Sequence, residues 1–212
     1  MPFLYRWFMK NRYKESDFNL DDIKILDEDL YVHKRFKDIE FNDDLIGISF
    51  DDCEFINCTF KGKVKNCSFF NVKFYKCEIS NIMFINNGIH YTLFDTCHLV
   101  GINFIDSKIK NSEFVNSHMR FGSLSTTELK EVDFKECNMM EFRFFDTSFE
   151  KNILFDNCNL EDLEVSGTSL KDVDVRSSNI DGIRVSVNDV KGLIVTEVQA
   201  ISLIYLLGIV IK

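Results

Sequence analysis

Apolar residues recur at every fifth position through most of this chain. The series opens with Leu45, Phe50, Phe55 and Phe60, drops one residue, and continues from Val64, Phe69, Phe74 and Ile79 to Phe144 and Phe149. It then gains one residue and runs from Phe155, Leu160 and Val165 to Val195. All 31 of these centres are apolar in a chain that is 45% hydrophobic, so the pattern is structural. A period of five fits neither the 3.6 of a helix nor the 2 of a strand. It specifies a short repeat, each unit too small to bury its apolar residue without neighbours above and below.

A second column lies two residues before each centre and is mostly small or β-branched, as in Cys53, Val72, Thr92, Ser107 and Val132. Residues two apart on an extended segment point the same way, so both columns face an interior and the remaining positions face water. Two residues after many centres stand turn formers, among them Asp52, Asn57, Gly62, Asn66, Asn81 and Asn157. They suit a chain that bends after every few extended residues. The expected fold is an all-β solenoid with flat walls, sharp corners and coils stacked through backbone hydrogen bonds.

This pattern resembles the pentapeptide-repeat family over roughly residues 28–212. The resemblance implies a right-handed quadrilateral β-helix with four repeats to the coil. The 31 centres then make about eight coils, a rod about 37 Å long at the usual strand spacing of about 4.8 Å. The family favours alanine in the small inward column, whereas Ala200 is the sole alanine here and Cys, Ser, Thr and Val take its place. The expected organisation is an N-terminal extension over 1–25 that forms a helical cap, the β-helix over 26–195, and a helix and strand over 196–212.

Seven cysteines (Cys53, Cys58, Cys67, Cys77, Cys97, Cys137 and Cys158) all fall in the inward column, where a thiol acts as a small apolar filler. An odd count without a secretory leader predicts reduced thiols and a cytoplasmic protein. Cys77 and Cys97, twenty apart, are expected to stack as the one pair near enough to oxidise. His98 and His118 are expected to stack outside, a pair that lacks the further ligands a zinc site needs. No apolar run reaches the ~18 residues of a membrane span. A convex rod with a filled bore offers no concave pocket of the kind enzymes use. The reading is a non-enzyme without cofactor or metal, with no direct nucleic-acid or membrane contact.

The ends depart from the repeat. Thr196-Glu197-Val198-Gln199 reads as a capping box, with a helix over about 197–207 ending at Gly208 and an apolar strand, Ile209-Val210-Ile211. This tail resembles the quinolone-resistance (Qnr) branch of the family, in which the helix and strand join two protomers end to end. The resemblance implies a dimer interface of Val198, Ile201, Tyr205, Leu206, Ile209, Val210 and Ile211. An open β-helix end exposes strand edges and raw core, which a twofold contact covers; a monomeric cap is the alternative. At the other end Phe3, Leu4, Trp7 and Phe8 form a stripe, with Arg6, Lys10 and Lys14 on another side. A helix plugging the first coil and a membrane-surface anchor both fit it, and Met9 is an alternative start. Leu26, Tyr31, Phe36 and Phe41, five apart, read as irregular first rungs.

Charge is the best handle on function. Residues 41–127 carry nine acids and eight basic residues, residues 128–197 sixteen and eight. The negative charge therefore gathers in the C-terminal half, where Glu141, Glu161, Asp162 and Asp181 follow successive centres of one face as a partner-binding acidic surface. Those seventy residues make about 17 Å of rod, a length over which duplex DNA carries about ten charges. The Qnr resemblance implies a DNA mimic that binds a type II topoisomerase, DNA gyrase or topoisomerase IV, and modulates its response to quinolones. Electrostatic complementarity would supply fast, salt-sensitive association. A passive interaction scaffold with another protein partner is the alternative. Two features favour it: single-residue slips near Gly62 and Lys151 leave no room for the loops many Qnr members carry, and the lysines at 61, 63, 65, 73 and 76 interrupt the acidity.

Overall fold

The computed structural model describes Tyr13, residues 21–23 and residues 29–207. Short strands pair in parallel with the strands one coil above and below, so that centres stand over centres: Phe50 over Phe69 and Ile89, Phe55 over Phe74 and Phe94, Phe84 over Phe104. Four such columns make four walls. The first holds Tyr31 to Val190, the second Phe36 to Val195 and the fourth Leu45 to Val185. The third, Phe41 to Ile180, is joined above its first two rungs by single bridges from Thr59 through Glu78, His98 and His118 to Asn179. Eight full coils run from Tyr31 to Val185; Tyr31, Phe36 and Phe41 precede the series counted from Leu45 and complete its first coil. Phe84, Phe104 and Phe144 share the fourth wall, as the repeat requires.

Of the 31 centres, all but Phe149, Val185, Val190 and Val195 are buried. Those four lie at a bulge or at the open C-terminal end. The second wall is the densest part of the core. Phe36, Phe55, Phe74, Phe94, Phe114, Phe134 and Phe155 stack ring on ring, with centroids 4.6–5.1 Å apart and planes within 13°. Ring spacing thus equals strand spacing, and burying each ring contributes about 2–3 kcal/mol.

Polar members of the inward column are hydrogen-bonded, as burial demands. The Ser107 hydroxyl accepts from the Asn87 N–H (3.1 Å) and donates to the Ile105 carbonyl (2.9 Å). Asn87, a polar inward residue that the small-residue pattern passes over, donates to the Val64 carbonyl (3.0 Å) and accepts from the Cys67 N–H (2.8 Å). On the fourth wall the same column takes bulk. A Cβ on Gly122 would lie 2.6 Å from the Phe142 ring, so the glycine makes room for the phenylalanine above it.

Most residues two after a centre adopt the left-handed conformation, Asn57, Asn66, Asn81 and Asp162 among them. Gly62 is an exception to the turn-former reading: its φ is not positive. It sits in a four-residue corner (Phe60 to Val64) stacked on another (Phe41 to Leu45), where a Cβ would come 2.3 Å from the Asp43 carbonyl oxygen. The second slip is a bulge, with Leu129 opposite Phe149 but Lys130 opposite Lys151, leaving Glu150 as the extra residue.

At the lower end β1 (Asp21–Ile23) extends the second wall, with Ile23 opposite Phe36. The 1–25 segment therefore contributes a strand; the helical stripe at residues 3–8, the alternative start at Met9 and the rung expected at Leu26 lie outside the described residues. At the upper end α1 (Glu197–Leu203) has the capping box anticipated at Thr196 and Gln199 and passes into a 3-10 turn over Ile204–Leu207. Gln199 also donates through Nε2 to the Val175 and Ser178 carbonyls (3.0 and 2.8 Å), tying the helix to the eighth coil. Gly208 and the strand expected at 209–211 lie outside the described residues. No helix among the described residues is long and apolar enough to cross a membrane.

Gly62→Ala is expected to lower stability by about 1–3 kcal/mol, because the obstructing atoms are backbone and cannot turn aside. Gly88→Ala, where nothing lies within 4 Å, should be neutral or gain up to about 1 kcal/mol. Paired thermal melts of the two variants check this; equal losses would contradict the corner geometry.

Candidate functional site

On the third wall, from Leu99 upward, each centre carbonyl accepts the N–H three residues on, as in Phe142 to Met139 (3.1 Å) and Leu163 to Leu160 (3.1 Å). This closes a tight corner. The residue before the centre holds it further: Asn159 Oδ1 accepts from the Glu161 N–H (3.3 Å) and Asn179 Oδ1 from the Asp181 N–H (3.0 Å). Such turns of an Asn side chain onto the backbone two residues on are a standard corner device. The asparagines also bond to each other, Asn179 to Asn159 at 3.1 Å.

These corners carry the four acids singled out in the sequence. Glu161 and Asp181 occupy one column, Glu141 and Asp162 the next, the second pair in left-handed geometry at φ 56 and 54. Backbone bonds lock the columns together: the Glu141 N–H donates to the Glu161 carbonyl (2.9 Å), the Asp162 N–H to the Asp181 carbonyl (2.8 Å). The structure thus brings all four onto one corner within three coils, about 10 Å of rod. Three are half-buried and Asp181 is exposed.

Several other acids in or next to this half are matched by cations. Asp174 is gripped by Arg176 (2.7 Å), which holds its carboxyl below the usual range. Lys135 meets Glu113 and Asp133, Lys151 meets Glu131, and Arg143 meets Glu164. Among the described residues no ion pair reaches Glu141, Glu161, Asp162 or Asp181. They form an unneutralised stripe on a rigid edge, suited to a basic surface by charge alone. Just below it Phe121 is 44% exposed, with the Arg120 guanidinium 4.9 Å from its ring centre. Sequence reading passed over Phe121 because the position two after a centre suggests a turn former, not an aromatic.

The lysines thought to interrupt the acidity do not form one patch. Lys61 and Lys63 lie at the corner of the third and fourth walls and Lys65 on the fourth wall itself, and Lys61 pairs with Glu40. Lys73 lies on the second wall, with Lys76 at that wall's end, and both face Tyr75.

The interior thiols are packing groups. All seven are buried and free. Cys58, Cys77, Cys97, Cys137 and Cys158 share one inward column, so three adjacent pairs stack where the twenty-residue step revealed only Cys77 and Cys97. The 19- and 21-residue coils concealed the others. Burial pushes the Cys53 thiol up to about 11. Cys58 is raised further by the Cys77 thiol and by burial, and thiols held protonated are poor nucleophiles and ligands. His98 and His118 stack outside as expected, with ring centres 5.4 Å apart. No group of three His, Cys, Asp or Glu among the described residues is placed to hold a metal.

The upper end is a second candidate surface. Val198, Ile201 and Tyr205 are more than half exposed, and beside them Val190, Leu193, Val195, Leu203 and Leu206 line an open cavity of about 250 Å³. The Tyr205 hydroxyl donates to the Ile183 carbonyl of its own chain, leaving the ring as the exposed part. Leu206 lies in the cavity wall; Ile209, Val210 and Ile211 lie outside the described residues.

Residues 87–164 match the family model described as "Pentapeptide repeat region". No curated protein matches the chain. Among solved structures, a trypsin-treated form of QnrB1, a plasmid-mediated fluoroquinolone resistance protein, is similar at a TM-score of 0.50 and 18% identity, covering 86% of this chain and 89% of that one. HetL, a pentapeptide repeat protein involved in heterocyst differentiation regulation from the cyanobacterium Nostoc, is similar at a TM-score of 0.49 and 10% identity over 79% of this chain and 91% of that one. At such identity the QnrB1 likeness is one of fold. The repeat region thus lies at the centre of the chain, and four-sided parallel coils continue the same five-residue period on either side of it.

Proposed function

We propose that this protein is a non-enzymatic interaction rod whose acidic upper coils mimic DNA toward a type II topoisomerase, DNA gyrase or topoisomerase IV, and so modulate the enzyme's response to quinolones. The observation that carries this reading is the stripe of Glu141, Glu161, Asp162 and Asp181, four carboxylates with no cation paired to them on an edge held rigid by backbone hydrogen bonds. A basic DNA-binding saddle recognises closely spaced fixed negative charge, and a rod of this width presents it as a duplex does. The fold likeness to QnrB1, a fluoroquinolone resistance protein, points to the same class of partner.

The working unit in this reading is a homodimer joined through the C-terminal helix and strand, with Val198, Ile201, Tyr205, Leu206, Ile209, Val210 and Ile211 in the contact. Its support is the exposed apolar end of the rod, too large for one short helix to cover. Two such rods end to end would double the length of acidic surface. The protein is assigned to the cytoplasm, where that enzyme and reduced thiols are found.

One observation favours a passive scaffold for another protein partner. Over residues 29–195 the wall departs from the repeat only by the two short corners and the Glu150 bulge, so no loop in that span reaches out to an enzyme.

A supercoiling assay with and without a fluoroquinolone separates the two readings. The mimic should inhibit or protect gyrase at low salt and lose its effect steeply as salt rises; no effect and no pull-down at low salt would leave the scaffold. Replacing Glu141, Glu161, Asp162 and Asp181 together by lysine should weaken topoisomerase binding at least ~10-fold without changing the melting profile, since each site faces water. Unchanged affinity would move the contact elsewhere on the rod. Ile209→Asp should halve the mass seen by light scattering, and an unaltered mass would exclude the tail-mediated dimer.

A further inference from the structure

The outward positions of the second wall are not uniformly wet. In register from coil to coil they include Leu93, Glu113, Asp133, Leu154 and Asp174. At the upper end the Asp174 side chain is 37% exposed, as an outward carboxylate should be. Glu113 and Asp133, in the same column, are 6% and 2% exposed. Lys135 spans both, 2.7 and 3.1 Å away, but one ammonium does not hide two carboxylates from water. Tyr13, far from this wall in sequence, is buried there against Leu93, Asp95, Glu113 and Val115, beside a cavity of about 140 Å³. None of Tyr13, Glu113 and Asp133 lacks a partner.

We propose that the outer surface of the second wall, over the fourth to sixth coils, is a docking groove whose occupant is this chain's own N-terminal segment, residues 1–20, anchored by Tyr13. Chain geometry supports a single path. β1 pairs at the foot of this same wall, four rungs below Leu93 and about 19 Å away at the strand spacing. The eight residue steps from Tyr13 to Asp21 span at most about 26 Å, enough to join these two points of one wall within a single chain. Charge supports the same occupant. Residues 1–14 carry Arg6, Lys10, Arg12 and Lys14 and no acid, whereas the groove offers Asp95, Glu113 and Asp133 against Lys135 alone. Leu93 and Val115 supply apolar contact for the phenol ring. Such a strap removes one acidic wall from any external partner and leaves the corner of Glu141 to Asp181 open, whichever partner that is.

Limited trypsin digestion of the full chain tests this, because the bonds after Arg12 and Lys14 flank Tyr13. In the parent they should be cut at least ~10-fold more slowly than in Tyr13→Ser, which lies outside the coils and leaves their melting unchanged. Val115→Lys, altering the groove instead, should give the same release. Trp7, the sole tryptophan, should shift its emission to longer wavelength in both variants. Equal cleavage and emission in parent and Tyr13→Ser would overturn the proposal. Protection that fades on dilution of the parent would overturn it too, by identifying the occupant as the segment of a second copy.

Discussion

Everything in this rod depends on one coincidence of length. Two hydrogen-bonded parallel strands lie about 4.8 Å apart, and that is close to the separation at which aromatic rings stack. Seven phenylalanines of the second wall take this spacing from the backbone and return it as packing, with planes within 13° from Phe36 to Phe155. Each coil is thereby fixed on the one beneath, and every outward side chain inherits a defined height and bearing. The stability of such an array is a sum of contacts between neighbours, so local features can vary without disturbing distant coils.

The repeat was legible because burial leaves a residue-by-residue mark. A wet position in the fifth-residue series would have left a polar residue somewhere in 31, and none occurs. The corners were legible through Asn and Asp, and the C-terminal cap through Thr196 and Gln199. What the sequence hid was relational. Gly62 looks like any turn glycine until the stacked corner brings the Asp43 carbonyl against it. The thiol column looks like a single pair because coils of 19, 20 and 21 residues place partners at unequal steps. Glu141 and Asp162 could be assigned outward, but only the coil-to-coil backbone bonds show that they stack beside Glu161 and Asp181 on one corner. Tyr13 carries no signal of any kind that would place it on a wall eighty residues away.

Two kinds of surface arise from one construction. The corner of the third and fourth walls is held by asparagine side chains and backbone bonds, so its carboxylates are fixed before any partner arrives. Preorganised charge of this sort loses little entropy on binding, which favours rapid recognition by a basic surface. The second wall gives the contrasting case, in which outward acids are covered and matched within the chain. The apolar upper end is a third region, distinct in chemistry from both. A rod with filled bore can still carry separate functions, because wall, corner and tip differ in what they leave exposed.

The Glu150 bulge and the paired short corners have a further consequence for how such a molecule changes over generations. A lone inserted or deleted residue cannot be spread along the chain; it persists as a scar that neighbouring turns must copy or absorb. Twenty residues at once, by contrast, slip in or out and the ladder closes behind them. Reach along a partner is therefore adjustable only in notches about one strand spacing deep, like the teeth of a ratchet.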